Sequence, residues 1–225
     1  MNVDTRKIRL VMDLRRAGIS DTRLLAAMER VPRQLFVPES LRDQAYANTA
    51  LPIGYGQTVS QPLVVALMTQ ALDVGPRSKV LEVGTGSGYQ AAVLAHLCRR
   101  VYTVERQPEL LKAAEARFAR LRLHNITTRR GDGSKGWPEQ APFDRIVVTA
   151  AADAVPEGLA AELGVGGLMV LPVGNKGRPQ ELVRARRTED GLEVESLGAV
   201  RFVPLISDSG GGPRSPWDIR APRSC

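Results

Sequence analysis

Cysteine is scarce in this 225-residue chain: Cys98 lies in a helical pattern and Cys225 is the last residue. That excludes a disulfide scaffold and a paired-cysteine metal site. Histidine is as rare, and His96 and His124 stand too far apart for a His-based centre, so no metal is expected. Aromatic residues make up only 4%, too few for a stacking platform along single-stranded nucleic acid. No apolar stretch approaches the ~18 residues of a membrane-spanning helix, and the first ten residues hold no signal-peptide core. A cytoplasmic protein without a membrane partner is the expectation. Long runs of one charge are missing too. The net charge is +7, yet no basic run exceeds two residues. Scattered charge of this kind serves solubility more than nucleic-acid binding, and it favours an anionic cofactor or a carboxylate substrate.

What the chain does have is a core and a rhythm. Hydrophobic residues at 43% and charged residues at 24% are ordinary for a globular protein, and the length suits one α/β domain with additions. Residues 4–31 read as two amphipathic helices. The first has Ile8, Val11, Met12 and Leu14 on one face and ends at Gly18; Ser20 and Asp21 can cap the second, which runs through Arg30. Residues 44–62, with Pro52, Gly54, Gly56 and Pro62, read as a long irregular loop of the functional kind. A helix over 62–73 comes next, with Pro62 in its first turn.

From Lys79 onward, strands and helices alternate. Strands are predicted over 79–83, 101–104, 126–130, 145–149 and 168–173, and helices over 89–97, 108–121 and 156–163. This is the pattern of an α/β fold: a doubly wound, mostly parallel, Rossmann-like sheet, here with added N-terminal helices. Extended runs around Asp190-Gly191 predict an antiparallel hairpin that closes the sheet within 180–203. The chain divides into helices and the long loop (1–61), a cofactor-binding domain (62–206) and a tail (207–225). Ten of the nineteen tail residues are Gly, Pro or Ser, which predicts disorder.

The segment Leu81-Glu82-Val83-Gly84-Thr85-Gly86-Ser87-Gly88-Tyr89 joins the first strand to its helix. Glycines at that turn let a nucleotide-like ligand approach the backbone. A dinucleotide fingerprint would need glycines at 84, 86 and 89, but position 89 is Tyr and the third glycine falls at 88. Glu82 disfavours a pyrophosphate beside the helix start and suits the amino group and sulfonium of S-adenosylmethionine. Glu105 ends the second strand, where a carboxylate can accept both ribose hydroxyls of either cofactor. Asp132, in Gly131-Asp132-Gly133, ends the third strand; it could accept the exocyclic amine of adenine, with Gly133 leaving room for the ring. As an ordered set these features resemble the class I S-adenosylmethionine-dependent methyltransferases.

The stretch after the fourth strand narrows the methyl acceptor. Val148-Thr149-Ala150-Ala151-Ala152 lacks the Pro-Pro-aromatic motif with which amino-directed DNA methyltransferases hold a flipped base. Neither cysteine is placed for cytosine C5 chemistry. Four further segments carry a more specific likeness: Gly54-Tyr55-Gly56-Gln57-Thr58-Val59-Ser60-Gln61-Pro62, residues 143–151, residues 166–174, and Arg201-Phe202-Val203-Pro204-Leu205. With the glycine loop, from about residue 5 to residue 206, the chain resembles the bacterial protein-L-isoaspartate O-methyltransferases.

The resemblance implies transfer of a methyl group from S-adenosylmethionine to the free carboxylate of L-isoaspartyl residues in damaged proteins and peptides. The ester then closes to a succinimide that hydrolyses partly to aspartate, and S-adenosylhomocysteine is left as product. It implies Ser60 as active-site residue, with Val203 and Leu205 holding substrate backbone. It implies cofactor contacts at Gln57, Thr58, Val59, Glu82, Gly84, Gly86, Glu105, Arg106, Asp132 and Gly133. Many relatives have Asp at position 82. A monomer without a nucleic-acid partner is expected. The alternatives are a methyltransferase for a small molecule or RNA, and an adaptor that has lost turnover. The chemistry is consistent with the first reading, because a carboxylate is already ionised at neutral pH and needs no strong base. Ser60 would then donate a positioning hydrogen bond, or cap the helix that opens at Pro62, or do both.

Overall fold

Two helices open the chain, α1 (Val3–Arg16) and α2 (Thr22–Arg30), in a computed structural model that describes residues 3–174 and 180–208. Asp21 starts α2. Its Oδ1 accepts the amides of Arg23 at 2.8 Å and Leu24 at 3.2 Å, donors that a helix start otherwise leaves open. Leu14, Leu24 and Met28 share one buried cluster with Val65, Met68 and Leu72 of α3 (Pro62–Leu72). The Gln70 side chain of α3 also accepts the amides of Ser20 and Asp21.

The 44–62 stretch is more ordered than its composition suggests. Within it β1 (Leu51–Gly54) and β2 (Gln57–Val59) form an antiparallel hairpin. Tyr55 and Gly56 at its tip both have positive φ, 54° and 68°, the conformation whose twist matches paired strands. Tyrosine is an unusual residue there, which is why the hairpin escapes a reading of turn residues.

Seven strands form the main sheet: β3 (Lys79–Val83), β4 (Arg100–Glu105), β5 (Ile126–Arg130), β6 (Phe143–Val148), β7 (Leu163–Val173), β8 (Gln180–Arg187) and β9 (Leu192–Val200). Their order is β5-β4-β3-β6-β7-β8-β9. The first five run parallel and the last two antiparallel, as the alternation and the Asp190-Gly191 turn predict. Helices α4 (Tyr89–Ala95), α5 (Pro108–Arg120) and α6 (Glu157–Ala161) cross between the strands. Successive strand residues serve opposite faces. Val80, Val101, Val147 and Val170 join the cluster with α3 and α4; Leu81, Val104, Ile146 and Met169 join the cluster with α6. Strands β6 and β7 start earlier than periodicity predicts. Gly164, Val165, Gly166 and Gly167 form an irregularity between the Leu163 and Leu168 pairs and carry almost no buried apolar signal, Val165 being 69% exposed.

Strand order reverses at β3, with β4 and β5 on one side and β6 on the other. The crevice at the carboxyl ends of β3 and β6 is therefore where a doubly wound sheet takes its ligand. At the start of the expected disordered tail, Ser207 and Asp208 are hydrogen-bonded: the Asp208 amide donates to Asp132 at 2.9 Å and its carboxylate meets Arg106 at 2.7 Å. Residues 209–225 of that tail lie outside the described residues. Among the described residues no helix is long and apolar enough to cross a membrane, and no group of three or more His, Cys, Asp or Glu could hold a metal ion.

Removing the α2 cap tests this local account. Asp21→Ala should lower stability by about 1 kcal/mol, or roughly 2–4 °C in Tm for a chain of this size. Calorimetry of the two proteins decides, and equal melting points would show that the cap contributes nothing.

Candidate functional site

A cavity of about 860 Å³ opens at the ligand end of the sheet. The glycine loop and the start of α4 form one wall, the β1–β2 hairpin and residues 60–65 another, and residues 199–206 a third. No histidine or lysine lines it among the described residues.

The glycine loop owes its shape to crowding. Gly84 has φ +96°, and a Cβ there would lie 2.4 Å from the Thr149 Oγ1 at the end of β6. Thr149 fills that space with a hydroxyl that donates toward the Val83 and Gly84 carbonyls, at 3.1 and 2.7 Å. A few residues on, the Gly86 amide donates to Glu105 Oε2 at 2.7 Å, and the Gln107 amide donates to Oε1 at 2.9 Å. Glu105 lines the cavity although only 7% exposed. Each of its oxygens keeps a second acceptor position, which fits the two hydroxyls of a ribose.

Glu82 sits differently from what its place in the motif suggests. It is fully buried and is not part of the cavity wall. Thr103 Oγ1 donates to its Oε2 at 2.5 Å, and the Thr85 and Thr103 hydroxyls meet at 2.6 Å. Its other oxygen has no partner among the described residues. Burial pushes its pKa up to about 8; the Thr103 hydrogen bond opposes this and the nearby Glu105 charge adds to it. Burial thus favours its neutral form. From this position the residue braces the glycine loop through Thr103 and Thr85.

Asp132 lies just behind the cavity wall, to which Gly133 belongs. Its Oδ1 accepts the amide and hydroxyl of Ser134, and its Oδ2 accepts the Asp208 amide. Burial alone would raise its pKa, but the donations from Ser134 and Asp208 outweigh it and hold the carboxyl below its usual range. One acceptor position on Oδ2 stays open for an amine. Gly133 is closely packed: a Cβ there would lie 2.5 Å from Val83 Cγ1. Arg106 also lines the cavity, with its guanidinium turned to Asp208.

On the opposite side, Gln57, Thr58, Val59 and Ser60 all face the cavity. Ser60 does not cap α3. Gln61 occupies the cap position without a side-chain bond, and Asn48 Oδ1 accepts the Leu63 amide at 3.0 Å instead. The Ser60 hydroxyl has no hydrogen-bond partner among the described residues, while its carbonyl accepts from Arg33 at 2.8 Å. Val203 and Leu205 complete the wall. The Val203 carbonyl and Leu205 amide pair with Ala151 at 2.8 and 2.7 Å. The Val203 amide and Leu205 carbonyl have no backbone partner among the described residues. Gln180 holds this segment upstream: it accepts the Phe202 amide at 2.6 Å and donates to the Phe202 carbonyl at 3.1 Å. Arg33, Asn48, Thr149 and Gln180 are the residues that sequence reasoning misses. Each acts across 15 or more residues except for the Arg33 bond to Ala45, so no local pattern marks them.

The state of Glu82 gives a pH test. A carboxyl raised from 4.5 to about 8 keeps its proton in the folded state after the unfolded chain has lost its own. Its contribution to stability is fully present below pH 4.5 and is lost as pH rises through about 8. Glu82→Gln should therefore be less sensitive to pH than the parent across that window. Denaturant midpoints between pH 5 and 8.5 measure it, and parallel curves would mean that Glu82 is ionised when folded.

Comparison with known proteins identifies the family. The family model described as Protein-L-isoaspartate(D-aspartate) O-methyltransferase matches residues 5–210. A protein-L-isoaspartate O-methyltransferase of Rhodospirillum rubrum is 64% identical over 208 residues, covering 92% of this chain and 95% of the relative. One from Rhodospirillum centenum is 60% identical over 222 residues, covering 98% and 100%. A solved protein-L-isoaspartate O-methyltransferase superimposes with a TM-score of 0.82 at 28% identity, over 89% of this chain and 66% of its own. A Plasmodium falciparum structure of the same name, in complex with S-adenosyl-L-homocysteine, gives 0.76 at 26% identity, over 88% and 97%. The family model alone spans most of the molecule, and the chain belongs to the protein-L-isoaspartate(D-aspartate) O-methyltransferase family.

Proposed function

We infer that the chain methylates the free carboxylate of L-isoaspartyl residues in damaged proteins and peptides and so starts their repair. The observation that carries this is the cavity itself. It joins the glycine loop and Glu105 to a Ser60 hydroxyl and to two backbone groups of residues 203–205 that have no partner among the described residues.

S-adenosylmethionine, when bound, supplies an electrophilic methyl group. Gly84, Gly86, Glu105 and Gly133 would hold it, with Asp132 behind Gly133, Arg106 at the rim, and Gln57 to Val59 closing over it. The acceptor carboxylate is ionised at neutral pH, so the residues around it align and exclude water rather than remove a proton. Ser60 acts as a hydrogen-bond donor to the acceptor. A serine nucleophile would need an adjacent base, and among the described residues the cavity wall offers no histidine or lysine. The amide of Val203 and the carbonyl of Leu205 are the substrate's backbone partners. We read the enzyme as a cytoplasmic monomer without a nucleic-acid or membrane partner; the dispersal of its positive charge, with no basic run longer than two, speaks against nucleic acid.

Labelled methyl transfer to an isoaspartyl peptide, beside its normal-aspartyl twin, tests the activity. Only the isoaspartyl form should be methylated, and equal labelling of both would overturn the reading. Ser60→Ala should reduce transfer roughly 10- to 1000-fold, the scale of one preorganised donor. Ser60→Thr should retain more activity, and neither change should alter S-adenosylhomocysteine affinity as much as turnover. Full activity in Ser60→Ala would remove the hydroxyl from the mechanism. Glu105→Ala should weaken cofactor binding by roughly 1–3 kcal/mol. Calorimetry with S-adenosylhomocysteine and NAD checks that value, and tight NAD binding would contradict the assignment.

A further inference from the structure

Behind the Ser60 wall lies a cation with no counter-charge among the described residues. Arg33 follows α2 in a short 3₁₀ turn, Arg33–Leu35, and is 0% exposed. Among the described residues it meets no carboxylate within 4.0 Å, and its Nη1 has no hydrogen-bond partner. Its Nε donates to the Ala45 carbonyl and its Nη2 to the Ser60 carbonyl, both at 2.8 Å. Its Cζ lies 4.6 Å from the centroid of the Tyr89 ring, and Tyr89 lines the cavity as the first residue of α4.

Burying an unpaired cation opposes folding, and an apolar side chain of similar length often serves as well or better. What such a side chain lacks is the rigid fork that directs two N–H donors at once. Here one branch of the fork secures residue 45 and the other secures Ser60. That second bond is the only hydrogen bond of Ser60 among the described residues. The turn that carries Arg33 is itself tied to the cofactor side. Arg117 of α5 donates to the Leu35 carbonyl at 2.8 Å and to the Ser87 carbonyl of the glycine loop at 3.1 Å.

We propose that Arg33 is a positioning residue for methyl transfer: its guanidinium fixes the Ser60 carbonyl relative to Tyr89 and the glycine loop, and so sets where the Ser60 hydroxyl meets the acceptor carboxylate. This rests on the reading of Ser60 as donor to the acceptor. Arg33 touches neither substrate nor cofactor in this role.

The test is a double-mutant cycle in the full-length protein, with peptide kinetics, S-adenosylhomocysteine calorimetry and melting curves on the same preparations. Arg33→Lys keeps the charge and loses the fork. It should lower kcat/KM for the isoaspartyl peptide by about 10- to 100-fold, the effect of a displaced catalytic group, and leave cofactor affinity within about threefold, far less than the rate loss. In a Ser60→Ala background the same change should cost less than about threefold, because its route to the reaction is gone. Arg33→Met removes the buried charge, so if Arg33→Lys fails to fold it gives a second reading with the same expected pattern. Equal losses in both backgrounds, or a lower melting point with normal transfer per folded molecule, would make Arg33 structural and overturn the proposal. Normal transfer by Ser60→Ala alone would instead show that the Ser60 reading fails and takes the proposal with it; the single variant distinguishes that case.

Discussion

The ligand end of this sheet depends on how near the turn after β3 comes to the end of β6. Thr149 occupies the space where a Cβ at position 84 would stand, and its hydroxyl draws in two carbonyls of the turn. Only glycine can take that position at φ +96°. Once the turn is fixed there, its later groups are placed in sequence: the Gly86 amide against Glu105, the Ser87 carbonyl against Arg117, and Tyr89 on the cavity wall. Arg117 passes the register on to Leu35, and the adjacent Arg33 passes it to Ser60. A steric constraint between two parallel strands thus reaches a segment outside the sheet.

The two glutamates at the carboxyl ends of β3 and β4 show how burial separates like residues. Two backbone amides point at the Glu105 carboxylate, which faces the cavity. Glu82 faces the interior; among the described residues it meets a single hydroxyl, and one of its oxygens has no partner. Desolvation then favours its neutral form. The first can receive a ligand's hydroxyls, and the second stiffens the loop from behind. Glu82 reaches Thr103 across its two methylenes.

What the sequence shows of this molecule is what local pattern can carry. The alternation of apolar runs and helices, the three glycines after Val83 and the acids at strand ends all lie within a few residues of the elements they mark. The parallel sheet, its antiparallel close and the resemblance to a methyltransferase family were legible for that reason. The β1–β2 hairpin was not, because Tyr55 adopts a turn conformation associated with Gly, Asn or Asp. Nor was the cap of α3, which comes from Asn48, 15 residues before Leu63. Ser60 was legible only as a candidate for two roles, and its freedom from capping emerges from where Asn48 and Gln61 sit. The neutral form that burial favours at Glu82 is not legible either, because burial is a property of the fold rather than of the motif.

The acceptor side is built differently from the cofactor side. The glycine loop and Glu105 sit at the ends of core strands, whereas Ser60 and residues 201–205 belong to connecting segments. Such segments hold an aligned geometry poorly unless something outside them fixes it. In each case a buried polar side chain does so by binding main chain: Arg33 at Ser60, Gln180 at Phe202. Both anchors act on backbone atoms of the cavity wall and leave the Ser60 hydroxyl, the Val203 amide and the Leu205 carbonyl without a partner among the described residues. For the proposed substrate this has a chemical consequence. An isoaspartyl residue can arise beside many different neighbours, so an enzyme that repairs it gains little from pockets for particular side chains. Main-chain partners accept any sequence that can present an extended backbone. They discriminate only if their own positions are rigid, and here that rigidity comes from two side chains that are nine-tenths or more buried behind the cavity wall.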